Sequence, residues 1–290
     1  MKNLLPLFFL IGLITFGQTP KNDSIPPSPW NMSGKFNFTF NQSSFTNWTA
    51  GGESSLSGTI LINYDINYNK GRWHWDTKLL GAYGLIKLKD DTFEKKTDDR
   101  IEIYSIVGLK GPKNWYASAF LNFKSQFSIG YKYSKNSEGI DVRSEFTDFM
   151  SPAMMSSGPG FQWKKSDNFS FNLAPATSRI TLVNSRFTAD RDDYFGVKRG
   201  KDSRYELGFT GSGYLKFKAA ENVTVEQILH LFSNYLYEFQ NVDVDYSLNI
   251  ELKINKYLGT TIMGQLVYDD NAFRGLQVRE IFGLGVNFVF

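Results

Sequence analysis

Three features of the sequence predict an all-β fold, a single antiparallel transmembrane β-barrel of about twelve strands. Long stretches alternate apolar and polar residues with a period of two. The turns between them are very short at one end of the strands and mostly long and polar at the other, the pattern of short periplasmic turns and long extracellular loops. Aromatic residues gather near the strand ends, and the C-terminus is apolar at every second place from Phe282 to a final Phe290.

Composition agrees. The 290 residues include 26 Phe, 15 Tyr and 6 Trp, an aromatic share that disordered chains lack. There is no Cys, which excludes disulfide scaffolds, thiolate metal sites and thiol nucleophiles. The net charge is only +3, with no basic bias toward nucleic acid.

The chain opens with Lys2, an apolar run from Leu4 to Phe16 too short to span a bilayer, and then Thr15-Phe16-Gly17. Residues 1–17 read as a secretory signal peptide cut before Gln18. Residues 18–33 are polar and Pro-rich and read as a periplasmic linker, too short for a plug. The barrel is expected over 34–290.

Strands are expected at 34–42, 56–69, 71–86, 100–110, 115–133, 157–166, 168–183, 204–218, 222–238, 241–255, 257–268 and 278–290. The clearest runs from Asp243 to Ile254: Asp243, Asp245, Ser247, Asn249, Glu251 and Lys253 share one face, and Val244, Tyr246, Leu248, Ile250, Leu252 and Ile254 the other. Asn69-Lys70-Gly71, Gly111-Pro112-Lys113-Asn114, Ser166-Asp167-Asn168, Ala219-Ala220-Glu221-Asn222 and Asn255-Lys256 make the tight turns. The longer connections are 43–55, 87–99, 134–156, 184–203 and 269–277. The count is weakest in 168–183, where Pro175 predicts a bulge or break. Ten or fourteen strands remain alternatives.

A soluble sandwich also alternates, but its strands are shorter. Tyr64, Tyr68, Trp73, Trp75, Trp115, Tyr116, Tyr131, Tyr133, Tyr235, Tyr237, Tyr257 and Tyr268 stand where interfacial girdles place such rings. Phe282, Leu284, Val286, Phe288 and Phe290 resemble the C-terminal signal of outer-membrane barrels. These features predict location in the bacterial outer membrane, with its lipid and the barrel-insertion machinery as partners, the latter through Phe290. A further outer-membrane protein partner is open.

Several motifs resemble those of a family of uncharacterised outer-membrane barrels, a domain of unknown function found in Bacteroidota. They are Phe45-Thr46-Asn47-Trp48-Thr49-Ala50-Gly51-Gly52, Ser151-Pro152, Leu173-Ala174-Pro175, Phe195-Gly196-Val197, Leu231-Phe232-Ser233-Asn234-Tyr235, Lys253-Ile254-Asn255-Lys256-Tyr257 and Val267-Tyr268-Asp269-Asp270. The resemblance runs over nearly the whole mature chain. It implies the same barrel and location, and no activity.

Candidate residues follow from parity. His74, Asp76, Glu226, His230, Asn234, Asp243, Asp245 and Glu251 are expected to face the lumen. Trp48, Gly51 and Gly52 lie in the first outer loop, which is either an ordinary loop with one anchoring aromatic or, because two glycines permit the turn, one that packs Trp48 into the mouth. His230 with Asn234 and a serine such as Ser212 suggests a remote hydrolase, against which stands an ordinary polar lumen; no enzyme is expected. Asp269-Asp270-Asn271 offers oxygens to calcium or is a solvated turn; no metal site or cofactor is assigned. Inward charges of both signs either fill the lumen as ion pairs or line a narrow channel. The function reading is therefore a small-solute channel or a non-conducting accessory barrel, and the sequence does not separate them.

Overall fold

The computed structural model describes residues 28–46, 53–255 and 257–289. Trp48, Gly51, Gly52, Phe290 and the 1–17 segment lie outside the described residues. Twelve strands form one closed antiparallel barrel: β1 (Trp30–Ser43), β2 (Ser55–Lys70), β3 (Trp73–Leu88), β4 (Lys95–Lys110), β5 (Trp115–Ser125), β8 (Ala153–Ser166), β9 (Phe169–Leu182), β12 (Ser203–Ala220), β13 (Val223–Asn234), β14 (Val242–Lys253), β15 (Leu258–Asp269) and β16 (Phe273–Val289). Two small hairpins stand outside the wall: β6 (Gly130–Lys135) with β7 (Asp141–Thr147), and β10 (Asp193–Tyr194) with β11 (Val197–Lys198).

Each barrel strand pairs with its neighbours around the ring, and β1 closes onto β16. Closure pairs the backbone of each strand with its neighbours, as lipid demands, over all of the ring but the outer part of the β1–β16 seam. The side chains are inside-out relative to a soluble protein. Phe161 is 59% exposed and Phe282 68%, whereas Asn172 and Glu206 are each 3% exposed. The apolar outer face is therefore the lipid face and the polar inner face the lumen. Trp30, Trp73, Trp75, Trp115 and Trp163 all lie at the short-turn rim. There Trp30 contacts Tyr68 and Trp75, and Trp163 stacks on Phe171.

Several boundaries differ from expectation. The first strand begins at Trp30, inside the stretch read as a linker. The strand expected at 115–133 stops at Ser125, because the alternation of Phe127 to Tyr133 continues into the β6–β7 hairpin; periodicity does not say which neighbour a strand pairs with. Likewise 222–238 stops at Asn234. Conversely β4 begins at Lys95 and β16 at Phe273, which shortens two outer loops to 89–94 and 270–272. Above the bilayer a paired strand needs no apolar face, so polar residues extend these ladders. Tyr116 is not a girdle residue: it turns inward and meets the His74 ring edge-on at 4.4 Å. Tyr131 and Tyr133 belong to the outer hairpin.

The bulge at Pro175 is present. The β8–β9 register shifts between Ser157 and Phe161, and the β9–β12 register between Gly208 and Thr210. Its consequence is a change of parity. Asn172 and Ala174 face inward below it, Thr177, Arg179 and Thr181 above it. The extra residue lets Arg179 reach the lumen.

Connections 126–152 and 183–202 fold together as a cap on the outer rim. Val183, Phe187, Tyr194 and Val197 form its apolar core, with Phe146 and Phe195 packed against it. Tyr194 Oη donates to the Phe146 carbonyl at 2.6 Å. Arg186 reaches Asp148 at 2.6 Å and Glu145 at 3.0 Å. Burial holds the Tyr194 hydroxyl above its ordinary value.

Candidate functional site

The lumen is the candidate site, and its charges meet across it. Around the ring, β3 and β13 stand opposite one another, six strands apart either way. Yet Lys78 on β3 lies 3.0 Å from Glu226 on β13, and 2.9 Å from Asp65 on β2. Tyr214 on β12 donates to Glu226 at 2.7 Å. Eight strands suffice for side chains to fill a barrel, and twelve in a round section hold the walls further apart. Contact at this distance means that the section is oval.

Nearer the short-turn rim, His74 Nε2 lies 2.7 Å from Gln162 Oε1, and Lys164 pairs with Asp76 at 2.6 Å. His74 fits only because Gly108 stands opposite it on β4. A Cβ there would lie 2.0 Å from the imidazole. Glu251 pairs with Lys35.

At mid-height a closed polar circuit crosses the lumen twice. Lys124 on β5 pairs with Asp245 on β14. Gln265 donates to Asp245 at 2.8 Å, and Arg279 donates to Gln265 at 2.8 Å. Arg279 then crosses back to Asp98 on β4 at 2.8 Å. Arg100 bridges Asp98 and Glu102 at 3.8 Å each, Tyr104 donates to Glu102 at 2.7 Å, and the Lys124 ammonium lies 5.6 Å from the Tyr104 ring centre. His230, from the opposite wall, stacks on Tyr104 with centroids 4.9 Å apart and planes 7° off parallel. These side chains form a waist. Below it lies a cavity of about 290 Å³ and above it one of about 420 Å³; His230 lines both.

The upper cavity is roofed by Phe195 from the cap. Phe195 has φ +52° and Gly196 φ +75°, the left-handed region that a bulky side chain avoids. The surrounding cap holds it there: Asp193 accepts from the Gly196 amide at 2.8 Å, and Phe195 packs on Tyr194 at 4.8 Å. Arg179 pairs with Asp243 at 2.5 Å. Asn234 donates to Glu206 at 3.0 Å.

Every candidate among the described residues thus faces inward, but they are spread over three levels. Ser212 stands directly across from His230 on the β12–β13 ladder, but no hydrogen bond links them and Asn234 lies four residues further along β13, so the three do not form a catalytic set. Asn234 is engaged by Glu206, and neither His230 ring nitrogen has a hydrogen-bond partner among the described residues. Carboxylates of Asp243, Asp269 and Asp270 lie within 4.8 Å of one another. They are engaged by Arg179, the turn amides and Asn241. Sequence reasoning missed Tyr104, Lys124, Arg279 and Phe195 as site residues. Parity places the first three on the inner face, but nothing local tells which residue meets them across the lumen.

A closed barrel, apolar outside and wet within, is the build of an integral protein of the bacterial outer membrane. Residues 40–131 match the model of a family described as a protein of unknown function (DUF3078). No curated protein matches the sequence. Among solved structures, the chain is similar to the translocator domain of the autotransporter NalP from Neisseria meningitidis, at 8% identity and a TM-score of 0.41, covering 92% of this chain and 90% of that one. It is similar to the beta domain of a Bordetella autotransporter at 11% identity and 0.35, covering 91% and 100%. It is also similar to an outer membrane channel from Pseudomonas putida F1 at 8% identity and 0.37, covering 94% and 99%.

Proposed function

We propose that the protein is a non-conducting accessory barrel that acts by binding another outer-membrane protein, its lumen serving to brace the wall and cap. One observation carries this reading: the polar circuit crosses the lumen twice, and Tyr104 on His230 fills the space beside it. Charge pairs buried on a lumen axis with so many hydrogen bonds hold a fixed cross-section rather than a water path. The motif resemblance supports a source among the Bacteroidota, and the alternating last strand supports delivery by the barrel-insertion machinery.

The second reading is a gated small-solute channel, favoured by the two cavities that share His230 as a wall. Planar-bilayer recording separates the two. The native chain is expected to give no steady conductance, and Lys124→Ala with Arg279→Ala to give steady openings. Steady conductance of the native chain overturns the accessory reading. A hydrolase draws no support from the placement of His230 and Asn234.

A further inference from the structure

The two edges of β1 are unequal. On one side it pairs with β2 at fourteen positions, from Trp30↔Tyr68 to Ser43↔Ser55. On the other, among the described residues, it pairs with β16 at five, from Lys35↔Val289 to Thr39↔Gly285. A strand needs about 9–11 residues to cross a bilayer, so this ladder closes about half of the crossing. Continued in register, Phe40 would meet Leu284, Asn41 would meet Gly283 and Gln42 would meet Phe282. All six residues are strand, and none is paired across the seam. On its other edge β16 is paired with β15 from Val286 up to Phe273. Among the described residues the N–H and C=O groups of its β1 edge therefore have no strand partner over this stretch, which spanning structures do not leave open to hydrocarbon.

The same edge carries an outlier of the lipid face. Down β16 the outward residues are Leu276, Val278, Glu280, Phe282 and Leu284, and all are exposed. The other carboxylate on the outer face, Asp99, is held by Lys96 at 2.5 Å and by the amides of Phe127 and Ser128. The Glu280 side chain has neither hydrogen bond nor ion pair among the described residues. A carboxylate between apolar neighbours in a bilayer is costly and marks a place where a partner is expected.

We propose that the outer half of the β1–β16 seam is a docking edge for a strand of another membrane protein. That strand runs antiparallel to β16, is apolar at alternate positions and sets a lysine or arginine beside Glu280. Backbone pairing supplies the affinity and the cation the selectivity. A second copy of this chain fits poorly. Pairing of β16 with its own copy brings two carboxylates together in lipid, and β1 offers only Phe40–Ser43. The inference rests on the accessory reading above and gives it an address.

The full chain in phosphatidylcholine nanodiscs, titrated with a labelled peptide of alternating Val and Thr carrying one central Lys, tests this, with peptide-exposed empty nanodiscs as background. The Lys peptide is expected to bind about tenfold more tightly than its Glu counterpart, and Glu280→Gln to abolish that preference. The chain has no cysteine, so Gln42→Cys with Phe282→Cys gives a single lock: oxidation removes binding and reduction restores it. Equal binding of both peptides, binding that survives the lock, or a discrete dimer without peptide binding each overturns the proposal. So does spontaneous oxidation of the cysteine pair without peptide binding, which shows a seam closed on itself. Conductance of the same sample is independent: a conducting barrel that binds the Lys peptide overturns the closed lumen and leaves the seam, and a silent barrel that does not bind it does the reverse.

Discussion

In the lumen the walls are joined by charge: Lys78 meets Glu226, Lys124 meets Asp245 and Arg279 meets Asp98, each across the barrel. In the cap the loops are joined by carbon: Phe187 stacks on Tyr194 at 5.4 Å, over Val183 and Val197. The inversion follows from what lies outside each. The barrel wall spends its apolar residues on lipid, which leaves the polar face to make the core. The cap stands in water and buries apolar residues in the usual way. A charged core is stable while every member is paired and fails badly when one is removed. An apolar core loses stability in proportion to what is cut from it.

The comparison breaks most visibly at Lys78. Lys78→Ala leaves Glu226 and Asp65 without their ammonium, and a loss of about 3–5 kcal/mol is expected. Lys78→Ala with Glu226→Ala is expected to recover much of it, and heat-modifiability on gels for the three variants reads this out. A double variant no better than the single would mean that the pair does not brace the wall. In the cap, Phe187→Ala is expected to cost about 3 kcal/mol locally. Protease should then nick 126–152 and 183–202 while the barrel keeps its melting temperature. Loss of the barrel together with the cap would show that the two cores are one. The smallest effect is at Tyr194. Tyr194→Phe removes the donation to Phe146, worth about 1 kcal/mol. Because burial raises the hydroxyl above its ordinary 10.0, its contribution is complete below pH 10 and lost as pH climbs through the raised value. Nicking of the native cap should rise in that alkaline range, and Tyr194→Phe should flatten the rise.

Much of the wall was legible because a period of two survives any neighbour. Asp243 to Lys253 alternates in the sequence and in the barrel alike, and Pro175 announced its bulge through its missing N–H. Residues 127–133 misled for the same reason. Their alternation is real, but it serves a hairpin outside the wall. The candidate site was legible one wall at a time. Parity turned His74, His230 and Asp245 inward, yet the partners Gln162, Tyr104 and Lys124 lie 88, 126 and 121 residues away along the chain.

By itself the sequence determined the class: which face of most strands meets lipid, which meets water, and at which end the turns are tight. These are local properties, fixed by the pleat and by turn chemistry. Only the tertiary structure decided that the lumen is pinched into an oval, that a polar circuit closes it, that two loops share an apolar core, and that β1 leaves the outer part of β16 without a partner on that edge. Each of these depends on the distance between strands remote in the chain, which ring closure sets and which no short stretch of residues encodes.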